Sequence, residues 1–174
     1  SLALGAFYQL AGRMDEARAI LEGATARFDT SAAARVTLAA YLQAAGNVPE
    51  AESHYLSAVE MAPGDVRVHL GLGHFRASQG QEEEAIKVYR KASEVDAASL
   101  AVKKHLAYQL LRAGRFEEIE EVLDGIGSVD LDLYYLKGRA RLAGGDMTEG
   151  IGLLERVVER TPDFVFRSEE HTSE

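Results

Sequence analysis

The feature that most constrains this sequence is a glycine that recurs at a fixed interval. Gly12, Gly46, Gly80 and Gly114 stand 34 residues apart, and Gly145 follows after 31 residues. An acid-rich stretch with apolar residues at helical spacing follows each of these glycines. Glycine readily adopts the left-handed backbone that ends a helix, and acidic side chains stabilise the first turn of the next helix. The interval therefore predicts a series of stacked helical pairs without a single central core.

The second helix of each predicted pair carries a small, large, small pattern on one face. The pattern is Ala17, Leu21 and Ala24 in the first pair, Ala51, Tyr55 and Ala58 in the second, and Ala85, Tyr89 and Ala92 in the third. Alanine lets neighbouring helices approach closely, and the larger side chain fills the gap between adjacent pairs. We expect these residues to form the core. The fourth pair departs from the pattern with Ile119, Leu123 and Ile126, and Gly150 replaces alanine in the fifth.

The repeat length and its fixed residues resemble the tetratricopeptide repeat (TPR) family. The first-helix positions of the family match Leu4-Gly5 with Tyr8, Leu72-Gly73 and Gly138, and its terminal proline matches Pro63 and Pro162. The family's first-helix Trp is absent, and its position holds Ser1, Arg35, His69, Lys103 and Tyr134. The resemblance implies an all-α fold, a right-handed α-α superhelix (solenoid) of about five helix-turn-helix units. These units are expected at about 1–31, 32–65, 66–99, 100–130 and 131–164.

The apolar spacing along the chain predicts ten helices. They span roughly 2–11, 14–28, 32–44, 48–61, 66–78, 82–95, 99–112, 116–125, 130–143 and 147–160. The fourth unit is three residues shorter than the others, and the shortage falls around Asp124 to Asp130. We therefore expect the helix at 116–125 to be shorter than its counterparts, with a local change in superhelical twist.

We expect both ends of the sequence to be cut. The chain begins at Ser1 rather than Met, and Asp163 to Phe166 resembles the beginning of a sixth unit. An interrupted array would leave an apolar face partly uncovered and so favour self-association; its residues are Leu153, Leu154, Val157 and Val158. Residues 167–174 resemble a translated sequencing adapter. We therefore expect residues 165–174 to hold the start of the sixth unit and a non-native or disordered tail.

Composition excludes several functional classes. The formal net charge is -9, which argues against binding to nucleic acid or to an anionic membrane. The chain contains no Cys, so disulfides, thiolate metal sites and Cys nucleophiles are excluded. No apolar run reaches the roughly 18 residues of a membrane span, so we expect a soluble protein without direct membrane insertion. The compartment stays open between cytoplasm and periplasm, and the Ala-rich, Cys-free composition is typical of a bacterial protein.

Residue patterns that carry catalysis are not found in the sequence. Its five histidines include no pair at the four-residue spacing of a helical metal site. Phosphate-binding glycine loops and nucleophile elbows are also absent. Asp130 and Asp132 lack the further ligands of a calcium loop. We therefore expect no catalytic, cofactor-binding or metal-binding residues, and no enzymatic activity.

The TPR resemblance implies that the first helix of each unit lines a concave groove for a partner. The implied groove residues are Gln9, Val36, Gln43, Arg67, Leu70, His74, Lys104, Tyr108, Arg112, Tyr135 and Arg139. The first half of this face is mostly small and apolar, and the second half is aromatic and mostly basic. Because Tyr and Arg dominate binding hot spots, we expect Tyr108, Tyr135 and Arg139 to be anchors. The alternative is an ordinary solvated groove in which the tyrosines serve packing.

These features predict a protein–protein interaction scaffold that binds a peptide or a helix in its groove. The expected partner is a protein or peptide of unknown identity. A second hypothesis is a non-catalytic regulatory or substrate-presenting arm of a larger enzyme, such as a glycosyl- or sulfo-transferase. A third is a self-assembling array joined through its uncapped ends.

Overall fold

A computed structural model describes residues 14–27, 31–126 and 130–160, and only the backbone of 14, 15 and 24–27. Every regular element within these ranges is an α-helix. The helices are α1 (Met14–Arg27), α2 (Ala32–Ala44), α3 (Val48–Met61), α4 (Val66–Ser78), α5 (Glu82–Val95), α6 (Leu100–Arg112), α7 (Phe116–Leu123), α8 (Leu131–Ala143) and α9 (Met147–Arg160). None of these described helices combines the length and the apolar character needed to cross a membrane. The predicted helix at 2–11 lies outside the described residues.

The chain divides after Ala98 into two compact units. In unit 1, which ends at Ala98, α2 packs against α3 and α4 packs against α5. Contacts of α1 with α2, and of α3 with α4, connect these pairs. In unit 2, which begins at Ser99, α8 packs against α9, and α6, α7 and α8 contact one another. The all-α fold of paired helices predicted from the repeat interval is confirmed.

A glycine in the left-handed conformation closes the turn inside each described pair. The φ angles are +80° at Gly46, +69° at Gly80, +71° at Gly114 and +90° at Gly145. After α4, the N–H of Gly80 donates to the carbonyl of Ala77 at 3.1 Å, and the N–H of Gln81 donates to the carbonyl of Arg76 at 3.0 Å. These bonds satisfy carbonyls that the end of a helix leaves without partners. The predicted role of the repeating glycine is confirmed at these four turns, and Gly12 lies outside the described residues.

In three of the four described pairs, the first and second helices begin in different ways; in the fourth, Oδ1 of Asp146 also caps the second helix. A side-chain cap starts α2, where Oγ of Ser31 accepts from the N–H of Ala34 at 3.2 Å. A similar cap starts α8, where Oδ1 of Asp130 accepts from the N–H of Asp132 at 2.9 Å. The second helices α3, α5 and α7 have no such cap but carry glutamates in the first turn. These glutamates lie near the positive end of the helix dipole, as predicted.

The helix α7 is shorter than its counterparts, as the missing residues predict. It has 8 residues, whereas α3 and α5 have 14 each. Helical backbone stops at Leu123 because Asp124 is extended and Gly125 has a φ of +66°. Ile119 and Leu123 are both buried, so the shortened helix still supplies apolar side chains to the core. The change in superhelical twist remains a prediction.

The small, large, small pattern forms the core of unit 1. Its members on α3 and α5 are all buried: Ala51, Tyr55, Ala58, Ala85, Tyr89 and Ala92. The ring of Tyr55 lies against that of Phe75, with 5.2 Å between centroids. At Gly73 a Cβ atom would lie 2.5 Å from Cε1 of Tyr89, so only glycine lets α4 pack this closely on that ring. The predicted role of these residues is confirmed.

One prediction about the last described helix is partly wrong. We expected Val157 on the uncovered apolar face of α9, but it is 1% exposed. Instead, Met147 and Ile151 are 58% and 46% exposed, together with Val158 at 46%. Leu154 is half-buried because Gly138 leaves room for it: a Cβ atom there would lie 2.9 Å from its Cγ. The predicted sixth unit and the tail lie outside the described residues.

Within the described residues, the core of unit 2 contains a polar side chain whose carbonyl oxygen has no hydrogen-bond partner. Gln109 is 5% exposed, and its Oε1 is buried without a hydrogen-bond partner. The repeat interval aligns this position with Tyr41 and Phe75, both of which are buried and aromatic. A buried carbonyl without a donor costs roughly 1–3 kcal/mol of stability.

We therefore expect Gln109→Leu to raise the free energy of unfolding by about 1–2 kcal/mol, because the replacement is apolar and similar in size. Denaturant unfolding of the two proteins measures this difference. Gln79→Leu is the control, since Gln79 is exposed and the change should stay within about 0.5 kcal/mol. A loss of stability in Gln109→Leu would contradict this interpretation of the core.

The glycine turn supplies a second prediction. A methyl group at Gly80 or at Gly64 would meet no atom within 4 Å, but only Gly80 has a left-handed backbone. Gly80→Ala should therefore lower the free energy of unfolding by about 1–2 kcal/mol, whereas Gly64→Ala should lower it much less. Equal losses in the two variants would show that the turn does not depend on its backbone conformation.

Candidate functional site

Ten of the predicted groove residues lie in the described part of the chain, and Gln9 lies outside it. We define the unit-1 face as the predicted residues on α2 and α4: Val36, Gln43, Arg67, Leu70 and His74. The unit-2 face consists of the predicted residues on α6 and α8: Lys104, Tyr108, Arg112, Tyr135 and Arg139. Each face is described within its own unit.

Gln43 joins three helices of unit 1. Its Nε2 donates to Oγ of Ser78 on α4 at 2.9 Å, and its Oε1 accepts from the hydroxyl of Tyr55 on α3 at 3.2 Å. Gln43 itself lies on α2. Both ends of its amide are therefore engaged in holding the unit together.

The apolar members of the unit-1 face are partly covered by the fold. A Cβ atom at Gly71 would lie 3.2 Å from Cγ1 of Val36 and 3.2 Å from Cε1 of Tyr55. Val36 thus lies where α4 approaches α2 closely, and it packs against the buried core of unit 1. Leu70 is half-buried as well. This face offers a modest apolar surface.

Arg67 lies beside the start of α4 and is paired within the protein. Its Nε lies 2.9 Å from Oδ1 of Asp65, and its Nη2 lies 2.6 Å from Oδ2. Asp65 also accepts the backbone N–H of Arg67, as the cap of the helix. The hydrogen bonds and the positive charge of Arg67 lower the pKa of Asp65. The charges of the two residues therefore largely cancel on the unit-1 face.

His74 shares a hydrogen bond with a core tyrosine. The hydroxyl of Tyr89 lies 3.1 Å from Nδ1 of His74, and the two rings meet edge to face with 5.8 Å between centroids. Burial raises the pKa of Tyr89, so its hydroxyl keeps its proton at neutral pH. Burial also lowers the pKa of His74, although its ring remains partly open to solvent. The pair is therefore uncharged at neutral pH.

Lys104 on the unit-2 face links α6 to the start of α8. Its Nζ lies 3.1 Å from Oδ2 of Asp130, and it also forms an ion pair with Asp132. Burial alone would lower the pKa of Lys104, but hydrogen bonds and charge from the two aspartates outweigh burial and raise it. Lys104 is thus a charged crosslink, and Asp130 holds it while capping α8.

Tyr135 and Arg139 form a pair one helical turn apart on α8. The Nη1 atom of Arg139 donates to the hydroxyl of Tyr135 at 2.7 Å, and the guanidinium lies 5.6 Å from the centre of the ring. Tyr135 is half-buried, whereas Arg139 is exposed. Such a cation–π contact orients the guanidinium while leaving its other N–H groups available.

The remaining members of the unit-2 face lie on α6. Tyr108 is half-buried one helical turn after Lys104, and Arg112 is the exposed last residue of the helix. Arg112 also has an interaction within the protein. Among the described residues, no group of three or more His, Asp or Glu side chains is placed to hold a metal ion.

Sequence reasoning missed the aspartates that hold Lys104. The TPR resemblance places Asp132 on the same groove face, but neither Asp132 nor Asp130 was predicted to pair with Lys104. A signal was present, because the 31-residue interval aligns Lys104 with Tyr135, and Asp132 stands one helical turn before it. An ion pair between a lysine on the first helix of one pair and an aspartate on the first helix of the next could therefore have been predicted.

The His74–Tyr89 contact predicts a pH dependence of stability. The unfolded chain takes up a proton on this histidine more readily than the folded chain, because the folded-state pKa is lowered. The free energy of unfolding should therefore fall as the pH drops below about 6.5. His74→Gln should reduce this fall, since an amide does not titrate.

Denaturant unfolding between pH 8 and pH 5 gives the slope of the free energy of unfolding against pH for the unchanged protein and for His74→Gln. His54 also has a lowered pKa, mainly through burial and then through the charge of Arg35. It is present in both proteins, so the difference between the two slopes reports His74 alone. Identical slopes would contradict the assignment of a neutral, hydrogen-bonded imidazole.

Comparison with known structures agrees with this geometry. YrrB, a TPR protein with an unusual peptide-binding site, is 14% identical with a TM-score of 0.72, covering 98% of this chain and 90% of that chain. MamA of AMB-1 is 19% identical with a TM-score of 0.72, covering 90% and 95%. A putative kinesin light chain of Podospora anserina with nearly identical TPR-like repeats is 23% identical with a TM-score of 0.72, covering 92% and 94%. At these identities the likeness concerns the fold alone.

Comparison of the sequence with family models identifies the repeats directly. No curated protein has a significantly similar sequence. Models described as tetratricopeptide repeat match residues 8–74 and 42–104, and a further one matches residues 132–163. These matches span more than half of the chain and include the glycine turns at Gly46, Gly80 and Gly145. The chain therefore belongs to the tetratricopeptide repeat family.

Proposed function

We propose that this protein is a non-catalytic scaffold that binds an extended peptide or a short helix on its unit-2 face. TPR proteins are typically interaction scaffolds, and the similar structure of YrrB is that of a TPR protein with a peptide-binding site. Beyond this general role of the family, we assign the binding to one surface. That surface is carried by α6 and α8.

The observation that carries the proposal is the Tyr135–Arg139 pair. A long arginine side chain normally loses rotamer freedom when it binds a partner, and this loss weakens binding. Here the hydrogen bond of 2.7 Å and the ring contact already restrain the guanidinium before any partner arrives. An exposed, pre-oriented arginine beside a half-buried tyrosine combines the two residue types that contribute most to binding hot spots.

The Lys104 crosslink supports the same surface. By tying α6 to the start of α8, it fixes how the two helices lie against each other. Tyr108 follows Lys104 by one turn, and Tyr135 follows Asp132 by about one turn. The crosslink therefore favours placing the two tyrosines side by side. A rigid aromatic pair provides contact area at a low cost in conformational entropy.

The unit-1 face is the weaker candidate. Gln43 is engaged by Ser78 and Tyr55, and Arg67 is neutralised by Asp65. Val36 and Leu70 are partly buried, so the remaining contact surface is small. We assign this face to apolar contacts that add little affinity.

Peptide selection followed by mutation tests the proposal. A displayed library of random peptides of about ten residues is selected on the purified chain, and the Kd of the recovered peptides is measured by fluorescence anisotropy. The double variant Tyr135→Ala with Arg139→Glu should weaken their binding by about 2 kcal/mol or more, which is roughly 30-fold. Loss of both anchors at once produces this effect.

Arg160→Glu is the matched control. Arg160 is an exposed arginine at the end of α9 in the same unit, so its reversal makes an equal change in net charge away from the face. Its effect on the Kd should be at most twofold. Recovered peptides that bind the double variant as tightly as the unchanged protein would reject the unit-2 face.

A further inference from the structure

We infer that the unit-2 face selects peptides by their charge order, taking an acidic side chain at Arg139 and a basic side chain at Asp132, with apolar residues between them. This inference rests on the proposed function, because it assumes that the face binds a peptide. It adds the chemical class of the partner and the way in which that partner lies along the helices.

The two helices of the face run in the same direction. The chain reverses at Gly114 between α6 and α7 and reverses again between α7 and α8, while all three helices contact one another. The starts of α6 and α8 therefore lie side by side, and so do their ends. The ion pair between Lys104, near the start of α6, and Asp132, near the start of α8, agrees with this arrangement.

The starting end of the face is acidic. Two carboxylates, Asp130 and Asp132, share the single cation of Lys104, which leaves one net negative charge. Asp130 is mostly enclosed, but the side chain of Asp132 is 49% exposed. The positive end of the α8 dipole offsets part of this charge within the first turn. A cationic side chain of a peptide can therefore pair with Asp132 from solvent.

The finishing end of the face is basic. Arg139 is exposed and gives one of its five N–H donors to Tyr135, so the others can bind a carboxylate. Arg112, at the end of α6, adds positive charge although it also interacts within the protein. Arg141 does not contribute to this basic end, because its Nε is paired with Glu120 of α7 at 2.9 Å.

The separation of the two ends sets the length of the partner. Asp132 and Arg139 are seven residues apart on α8, which corresponds to ~10 Å along the helix axis. An extended peptide rises about 3.3 Å per residue. The acidic and basic side chains of the partner should therefore stand about three or four residues apart, with Tyr108 and Tyr135 contacting the apolar residues between them.

The unit-1 face shows no comparable order. Asp65 and Arg67 neutralise each other at the start of α4, and the far end carries the uncharged Gln43–Ser78 hydrogen bond. Charge order is thus a property of the unit-2 face alone within the described residues.

Arrays of labelled heptapeptides provide the test, with the full chain in solution. Three classes share varied apolar residues at positions 3–5 and carry charged residues at positions 2 and 6, four residues apart: one basic and one acidic, both acidic, or both basic. The mixed class should bind about tenfold more tightly than either other class at low salt, and this preference should shrink as salt is raised. Equal binding of the three classes would overturn the inference while leaving the proposed function intact. Absence of binding in every class would overturn both.

A charge-rescue experiment assigns the two ends. Arg139→Glu should weaken the mixed class about tenfold and should bind peptides that are basic at both ends better than the unchanged protein does. Asp132→Asn should weaken binding only of peptides with a basic end, and Asp130 still holds Lys104 in that variant. Arg160→Glu is the control, and thermal unfolding confirms that each variant is folded. If peptides that are basic at both ends bind Arg139→Glu no better than they bind the unchanged protein, the assignment is overturned.

Discussion

The left-handed glycine between two helices is the constraint on which this structure depends. It reverses the chain within two or three residues, and it lets the carbonyls at the end of the first helix find donors in the turn. Within the described part of the chain, four such turns close the helical pairs, and Gly125 between α7 and α8 is also left-handed. Because the turn is so short, the second helix must pack against the first, and the faces that meet are fixed by the spacing after each glycine. The helical pairs follow from this local geometry.

Close packing within the pairs leaves the outer surface of the first helices for the binding that we propose. Tyr89 packs against Gly73 at a distance that excludes any side chain there, so the large residues of the second helices point inward. The polar residues left on the first helices then differ between the units. In unit 1 they satisfy one another, as Gln43 and Ser78 do. In unit 2, Lys104 is neutralised but Arg139 remains exposed, and this difference is the basis of the binding that we propose for the unit-2 face.

Much of the fold could be predicted from the sequence because it is encoded locally. The turn glycines, the buried Ala51, Tyr55 and Ala58 and the shortened α7 all depend on spacing within one or two turns of helix. Side-chain partners depend on which rotamers meet across helices, and spacing does not specify these. The capture of Lys104 by Asp130 is of this kind, and so is the burial of Val157. The predicted groove residues in the described part of the chain therefore lie on first helices, as expected, but their side-chain partners were not foreseen.

NMR mapping of a selected peptide on the isotopically labelled chain tests the central claim most directly. The account predicts that the largest amide shifts on binding fall on α6 and α8, around Tyr108, Tyr135 and Arg139. The chain also has a rival surface, the exposed apolar residues Met147 and Ile151 on α9. Shifts concentrated on α9, with α6 and α8 unchanged, would contradict the account and would identify that face as the binding surface.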